Sequence, residues 1–351
     1  MKNKVRASNP DRVHYIDNLR WIAISLLILY HACMAYNTWG EKNFIFFKDL
    51  KPMAFVVVFI SPWFMPLLFL LAGVSSYYSL NKRGFGHFIK ERLIRLGLPL
   101  LGGLIIVTPV LSYIAALSHN HYKGNFIQHY VEFFTKYTDL SGYDGGFSLG
   151  HLWFIMVLLV ISLLACIFIK LLPQKPVVMM ITAVILSLIA VASFEFKFLG
   201  KPLITYFCMY LLGYYFFSKK EFVAKLAEFK WEFVVVFLVV SITNATLYVV
   251  VLGPKLLNNI CNYSSFVFGV LALMTFAHDH LNQTSEKLTR FSKLSYTFYI
   301  LHFPVVVLSQ YFLNLTGMNI ALNFLLTLVI SYPVTYFVSL LLSKLKGYYF
   351  G

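Results

Sequence analysis

Ten long apolar runs constrain this 351-residue chain more than any motif in it. They span residues 16–37, 54–80, 93–117, 150–171, 177–195, 202–218, 232–252, 260–278, 293–313 and 320–343. At about 1.5 Å per residue, roughly 20 apolar residues in a helix cross a hydrocarbon core of about 30 Å. Inside lipid every backbone polar group must be satisfied within the structure, so runs of this length read as membrane helices. Composition agrees. Hydrophobic residues make up 59% and charged residues 12%, against about 45–50% and about 25% in soluble domains. The expected fold is an all-α polytopic integral membrane protein with about ten transmembrane helices. A soluble enzyme, a disordered chain and a disulfide scaffold are excluded. Cys33, Cys166, Cys208 and Cys261 all lie in apolar runs without a CxxC pair, and read as small buried hydrophobes. Pro62, Pro66 and Gly73 predict a kinked or broken second helix. Asp17, Arg20 and His31 interrupt the first run, which reads as a span rather than a signal peptide.

The formal net charge is +15. With both termini placed in the cytoplasm, the inner side receives 21 Lys and Arg and the outer side eight, while acidic residues divide eight to six. A strong bias in positive charge with little bias in negative charge is the positive-inside pattern. It accounts for the basic character without nucleic acid and suggests a multi-pass protein of the inner, cytoplasmic membrane, with the lipid bilayer as its surroundings. The expected organisation is a cytoplasmic tail over 1–13, one membrane-embedded domain over 14–346 and a short cytoplasmic tail over 347–351. The longest loop, 118–149, is expected outside. The inner segment KKEFVAKLAEFKW at 219–231 reads as a short amphipathic surface helix.

Ionisable groups inside spans are costly, so each is a candidate site. They are Asp17, Arg20 and His31 in the first span, His151 at the start of the fourth and His302 in the ninth. Arg20 and His31 are 11 residues apart, close to three helical turns, which puts them on one face about 16 Å apart along the axis. Arg20 reads either as a snorkelling cation paired with Asp17 or as part of a site. His31 reads either as a core histidine or as a deep base. Ser295, Tyr299 and His302 share a face and read first as a polar stripe joining helices. The loop LNKRGFGHFIKERLIRLGLP carries Arg83, Lys90, Arg92 and Arg95. Arg92 and Arg95 would be neighbours on a helix, a pairing suited to phosphate through forked donors or to anionic lipid. No carboxylate lies mid-span, Glu195 sits at a helix end, and neither a phosphate-binding glycine loop nor metal-ligand spacing occurs. No metal is expected.

Five segments then recur in order. They are RWIAISLLILYH from Arg20 to His31, preceded by YIDNLR; WFMPLLFLLAGVSSYYSL; KERLIRLGLP, with an Arg-x-x-Arg at Arg92 and Arg95; GHLWF; and SYTFYILHFP. Together they resemble the acyltransferase 3 family of integral membrane acyltransferases. The wording MPLLFLLAG and KERLIRLGLP is most similar to the branch of OpgC-type glucan succinyltransferases. The resemblance implies acyl-CoA-dependent O-acyl transfer. An acetyl or succinyl group would pass from cytoplasmic acetyl-CoA or succinyl-CoA to a hydroxyl of a carbohydrate or other small acceptor outside. It implies His31 as general base or covalent acyl carrier and Arg20 as the residue that holds CoA or orients the site. Arg83, Lys90, Arg92 and Arg95 would bind the CoA phosphates. His151 and Trp153 would bind the acceptor, with Ser295, Tyr299 and His302 as further substrate contacts. The competing reading is a non-enzymatic transporter or exporter of a small sugar or lipid.

Overall fold

The computed structural model describes residues 13–172, 176–194, 196–198 and 200–349. Glu195 and the outer parts of both tails, 1–12 and 350–351, lie outside the described residues. Among the described residues all regular structure is helical, apart from an isolated bridge between Phe198 and Lys201. In chain order the helices are α1 (His14–Met34), α2 (Lys51–Arg83), α3 (Phe85–Asn120), α4 (Phe126–Thr135), α5 (Gly150–Leu171), α6 (Pro176–Ala192), α7 (Leu203–Phe217), α8 (Lys220–Ala227), α9 (Lys230–Val251), α10 (Lys255–His280), α11 (Glu286–Leu315) and α12 (Ile320–Tyr349). Eight of them, α1, α2, α3, α5, α9, α10, α11 and α12, are long and apolar enough to cross a membrane; α6 and α7 are shorter apolar helices. Every predicted apolar run therefore falls on a helix. The segment at 219–231 forms α8, which buries Val223 and Ala227 while Phe229 and Trp231 just beyond it stay exposed. All four cysteines are free and buried.

Of the expected kinked or broken second helix, the break does not occur. α2 is a single continuous helix of 33 residues that runs through Pro62 and Pro66 without breaking. Most of it is enclosed by protein, and packed neighbours tolerate the hydrogen bonds that proline removes. Its closest neighbour is α7. A Cβ added at Gly73 would lie 2.0 Å from the Tyr210 carbonyl oxygen, and one at Gly213 would lie 2.1 Å from the Leu70 carbonyl oxygen. The two backbones therefore touch at a crossing that only glycine admits, the small-residue contact by which membrane helices approach.

α1 packs between α2 and α11. On α12, Asn323, Thr327, Ser331, Thr335 and Ser339 form a buried stripe at four-residue spacing on the helix that pairs with α11. Loops 35–50 and 121–149 meet at the His31 end of α1. There His119 Nε2 bonds the Asn43 carbonyl at 3.1 Å, and the Tyr143 hydroxyl donates to Glu41 at 2.9 Å. This is the loop end of the bundle. The opposite, arginine end gathers Arg20, the last turns of α2 and the first turns of α3.

Candidate active site

α1, α5 and α11 bring three histidines together around Phe303. The His31 ring stacks on Phe303 at 4.0 Å between centroids and lies 5.3 Å from the His302 ring. The His151 ring lies 5.2 Å from His302 and 5.4 Å from Phe303. His302 comes from the middle of α11. His151 comes from the tight turn Gly150–Leu152 that starts α5. That turn places it in the cluster, 4% exposed, rather than open at a mouth.

Carbonyl partners assign the tautomers of two of these rings. His151 Nε2 faces the Ile300 carbonyl at 2.9 Å, and His302 Nδ1 faces the Tyr299 carbonyl at 2.5 Å. A carbonyl only accepts, so each of these nitrogens carries its proton. The other nitrogens, His151 Nδ1 and His302 Nε2, are then lone-pair acceptors, and both are buried without a hydrogen-bond partner. Tyr299 is 2% exposed and donates its hydroxyl to the His151 carbonyl, which ties α5 to α11. His31 is half-buried and makes no hydrogen bond among the described residues. Three imidazoles thus converge with two unsatisfied acceptors and one ring free of any fixed bond. No group of three or more His, Cys, Asp or Glu suited to a metal ion occurs among the described residues.

Arg20 bonds Asp17 at 3.1 Å and Ser75 Oγ of α2 at 2.5 Å. Arg92 bonds Ser76 Oγ at 2.8 Å, and its guanidinium lies 4.7 Å from the Phe88 ring centroid. Tyr210 of α7 donates to the same Ser76 hydroxyl at 2.6 Å. Consecutive serines on α2 therefore hold the two arginines. Arg92 has no carboxylate within ion-pair distance among the described residues and is half-buried.

Arg92 and Arg95 have different surroundings, Arg92 half-buried on Ser76 and Arg95 open to solvent. Leu93–Gly97 is a π-helical turn, wider than an α-turn, and Arg95 falls within it. Arg95 points out, 70% exposed and paired with Glu91 at 2.7 Å. Arg83 pairs with the same carboxylate at 2.7 Å, and Lys90 is exposed. Ser295 bonds only the Ser292 carbonyl of its own helix, at 2.8 Å. Trp153 stacks on Tyr206 at 5.9 Å.

Toward the loop end an open pocket of about 440 Å³ lies among Glu41, Lys42, Asn120, Asp139, Ser141, Tyr143 and Asp144. Rings connect it to the histidines: Tyr143 meets Phe44 at 5.2 Å, and Phe44 meets Phe303 at 5.4 Å. Sequence reasoning missed Ser76 and Tyr210 as the mount of Arg92, and Phe303 as the platform for His31. The adjacent serines in AGVSS were the available signal. The aromatic residues had none, because 18% of the chain is aromatic.

A family model for the acyltransferase domain (Acyl_transf_3) matches residues 13–344, nearly the whole chain. The chain belongs to the acyltransferase 3 family. It is a multi-pass membrane acyltransferase. Comparison with curated proteins and with solved structures gives no match. Acyl transfer needs a base, a place for the acyl donor and a route for the acceptor. In this acyltransferase the histidine cluster, the Arg20 and Arg92 end and the loop-end pocket stand as candidates for the three.

Proposed function

We propose that this acyltransferase takes an acyl group from acyl-CoA at the arginine end and delivers it to a hydroxyl arriving from the loop end. The positive-inside charge pattern supports an arginine end that faces the cytoplasm, and with it an inner-membrane setting. The observation that carries the reading is the histidine cluster, whose two buried acceptors, His151 Nδ1 and His302 Nε2, await a donor. An alcohol hydroxyl is such a donor, and leaving a buried acceptor unmet costs about 1–3 kcal/mol. Half-buried Arg92, with no ion pair among the described residues, suits a CoA phosphate, and Arg20 would orient or extend that site.

In the reaction, His31 takes the proton of the acceptor hydroxyl as its oxygen attacks the thioester carbonyl. A C–O bond forms, the C–S bond breaks, and CoA leaves as a thiolate that is then protonated. Acyl transfer through His31 itself is the covalent form of the same step. The segments similar to the glucan succinyltransferase branch favour a carbohydrate acceptor.

The test is thermal stability of the purified protein with acetyl-CoA, succinyl-CoA and free CoA, because a ligand bound only to the folded state raises stability. His31→Ala should keep the donor-dependent shift and lose CoA release from the thioester by at least about 100-fold. Unchanged release in that variant overturns His31 as the reacting base. No shift with any CoA compound favours a transporter.

A further inference from the structure

A second cation stands without an ion pair among the described residues, at the other end of the site. Lys201 precedes α7, and its ammonium lies 4.6 Å from the centroid of the Trp153 ring. It is half-buried. It makes no hydrogen bond through its ammonium and no ion pair among the described residues; its remaining bonds are backbone bonds to Phe198 and Leu203. Glu41 acts on it through space but does not pair with it; the oxygens of that carboxylate are in contact with neutral donors instead. Trp39 Nε1 donates to one of its oxygens at 3.1 Å and the Tyr143 hydroxyl to the other at 2.9 Å. Burial draws the Lys201 ammonium below the usual lysine range, with Glu41 opposing. An ammonium taken partly out of water with no carboxylate in contact is costly, and an aromatic face compensates only part of that cost.

Position says what the anion serves. Trp153 is two residues after His151, and Lys201 lies within electrostatic reach of His31. Tyr206, stacked on Trp153, also stacks on Phe69 of α2 at 4.5 Å. Lys201 therefore covers the loop-end flank of the histidine cluster, as Arg92 covers the arginine end.

We infer that Lys201, seated on Trp153, is a specificity-determining residue that binds a carboxylate of the substrate next to the reacting hydroxyl and thioester. The inference rests on the acyl-transfer reading above. The carboxylate has two sources: the free end of a dicarboxylic acyl chain, or an acidic sugar acceptor. Trp153, backed by Tyr206, holds the ammonium in place, and the ammonium supplies up to three donors.

The experiment uses the purified full chain, wild type, Lys201→Met and Lys201→Arg. Methionine keeps the contact with Trp153 and removes the charge. Midpoints of thermal unfolding are titrated with succinyl-CoA and acetyl-CoA, and separately with methyl glucuronide and methyl glucoside. A donor carboxylate predicts tighter binding of succinyl-CoA than acetyl-CoA, lost by about tenfold in Lys201→Met, kept in Lys201→Arg, with acetyl-CoA unchanged. An acceptor carboxylate predicts the same pattern for glucuronide over glucoside. Absence of carboxylate preference in both pairs, or a preference that Lys201→Met leaves intact, overturns the inference. If no CoA compound shifts the midpoint, the acyl-transfer reading fails, and the glucuronide pair alone decides the role of Lys201.

Discussion

Gly73→Ala is the sharpest perturbation of this fold. Its new Cβ would sit 2.0 Å from the Tyr210 carbonyl oxygen and 3.0 Å from the Tyr214 nitrogen, where ordinary contact begins at 3.4 Å. Both neighbours are backbone, so no side-chain rotation relieves the clash and α2 must part from α7 by more than an ångström. Overpacking costs about 1–3 kcal/mol where side chains adjust; here the loss should reach about 3 kcal/mol or more. One turn along the same crossing, Tyr210 and Arg92 share the Ser76 hydroxyl at 2.6 and 2.8 Å. Parting the helices should therefore also loosen Arg92 and weaken stabilisation by acetyl-CoA. Gly102→Ala is the control. Nothing lies within 4 Å of its added Cβ, so removing a helical glycine should raise stability by about 0.5–1 kcal/mol. Thermal unfolding in detergent, with and without acetyl-CoA, reads both effects. A Gly73→Ala protein as stable as wild type with a full acetyl-CoA response would refute the close crossing and the link from it to Arg92.

Two further expectations follow from the site and its loop. Arg92→Ala should raise the acetyl-CoA concentration for half-maximal stabilisation by about tenfold or more. Arg95→Ala should change it less than about threefold, because an exposed cation paired with Glu91 contributes little; equal losses would restore the paired-arginine reading. The loop end should also be acid-sensitive through His129. Burial holds this histidine below its usual range, with Glu132 opposing and Lys136 assisting. Its Nε2 meets Ser112 Oγ at 3.2 Å, that hydroxyl donates to the Gly146 carbonyl at 2.9 Å, and Nδ1 is buried without a partner. Since the folded-state value is depressed, its contribution is whole above about pH 6.5 and is lost as pH falls through the folded value. Proteolysis within 121–149 should rise as pH drops below about 6.5, and His129→Gln should flatten that rise; a pH-independent cleavage rate in wild type would discount the lock.

Most of the architecture was legible in the linear chain. Long apolar runs leave the backbone one way to satisfy itself in lipid, and that requirement is local to each run. The Arg20 and His31 spacing was legible for the same reason, since one helix and its rise decide it. The Asp17 partner of Arg20, within one turn, was equally readable. What lay beyond one helix was not. The paired reading of Arg92 and Arg95 assumed an α-turn, whereas Leu93–Gly97 forms a π-turn, with Arg92 half-buried on Ser76 and Arg95 exposed. No residue type announces such a turn.

Contacts between helices depend on which faces pack, and an apolar run reads much the same all round. Only the assembled bundle joins His31, His151 and His302 from helices begun up to 272 residues apart. Only the bundle seats Arg92 on a serine of α2, lays Lys201 on Trp153 and brings two glycines to a backbone crossing. The sequence by itself determined that the chain enters a membrane as helices and carries a deep histidine above a basic end, because lipid and helical pitch act along a single segment. Tertiary packing decided which polar groups meet and which stay unsatisfied, because hydrogen bonds and charge pairs across helices exist only once the faces have been chosen.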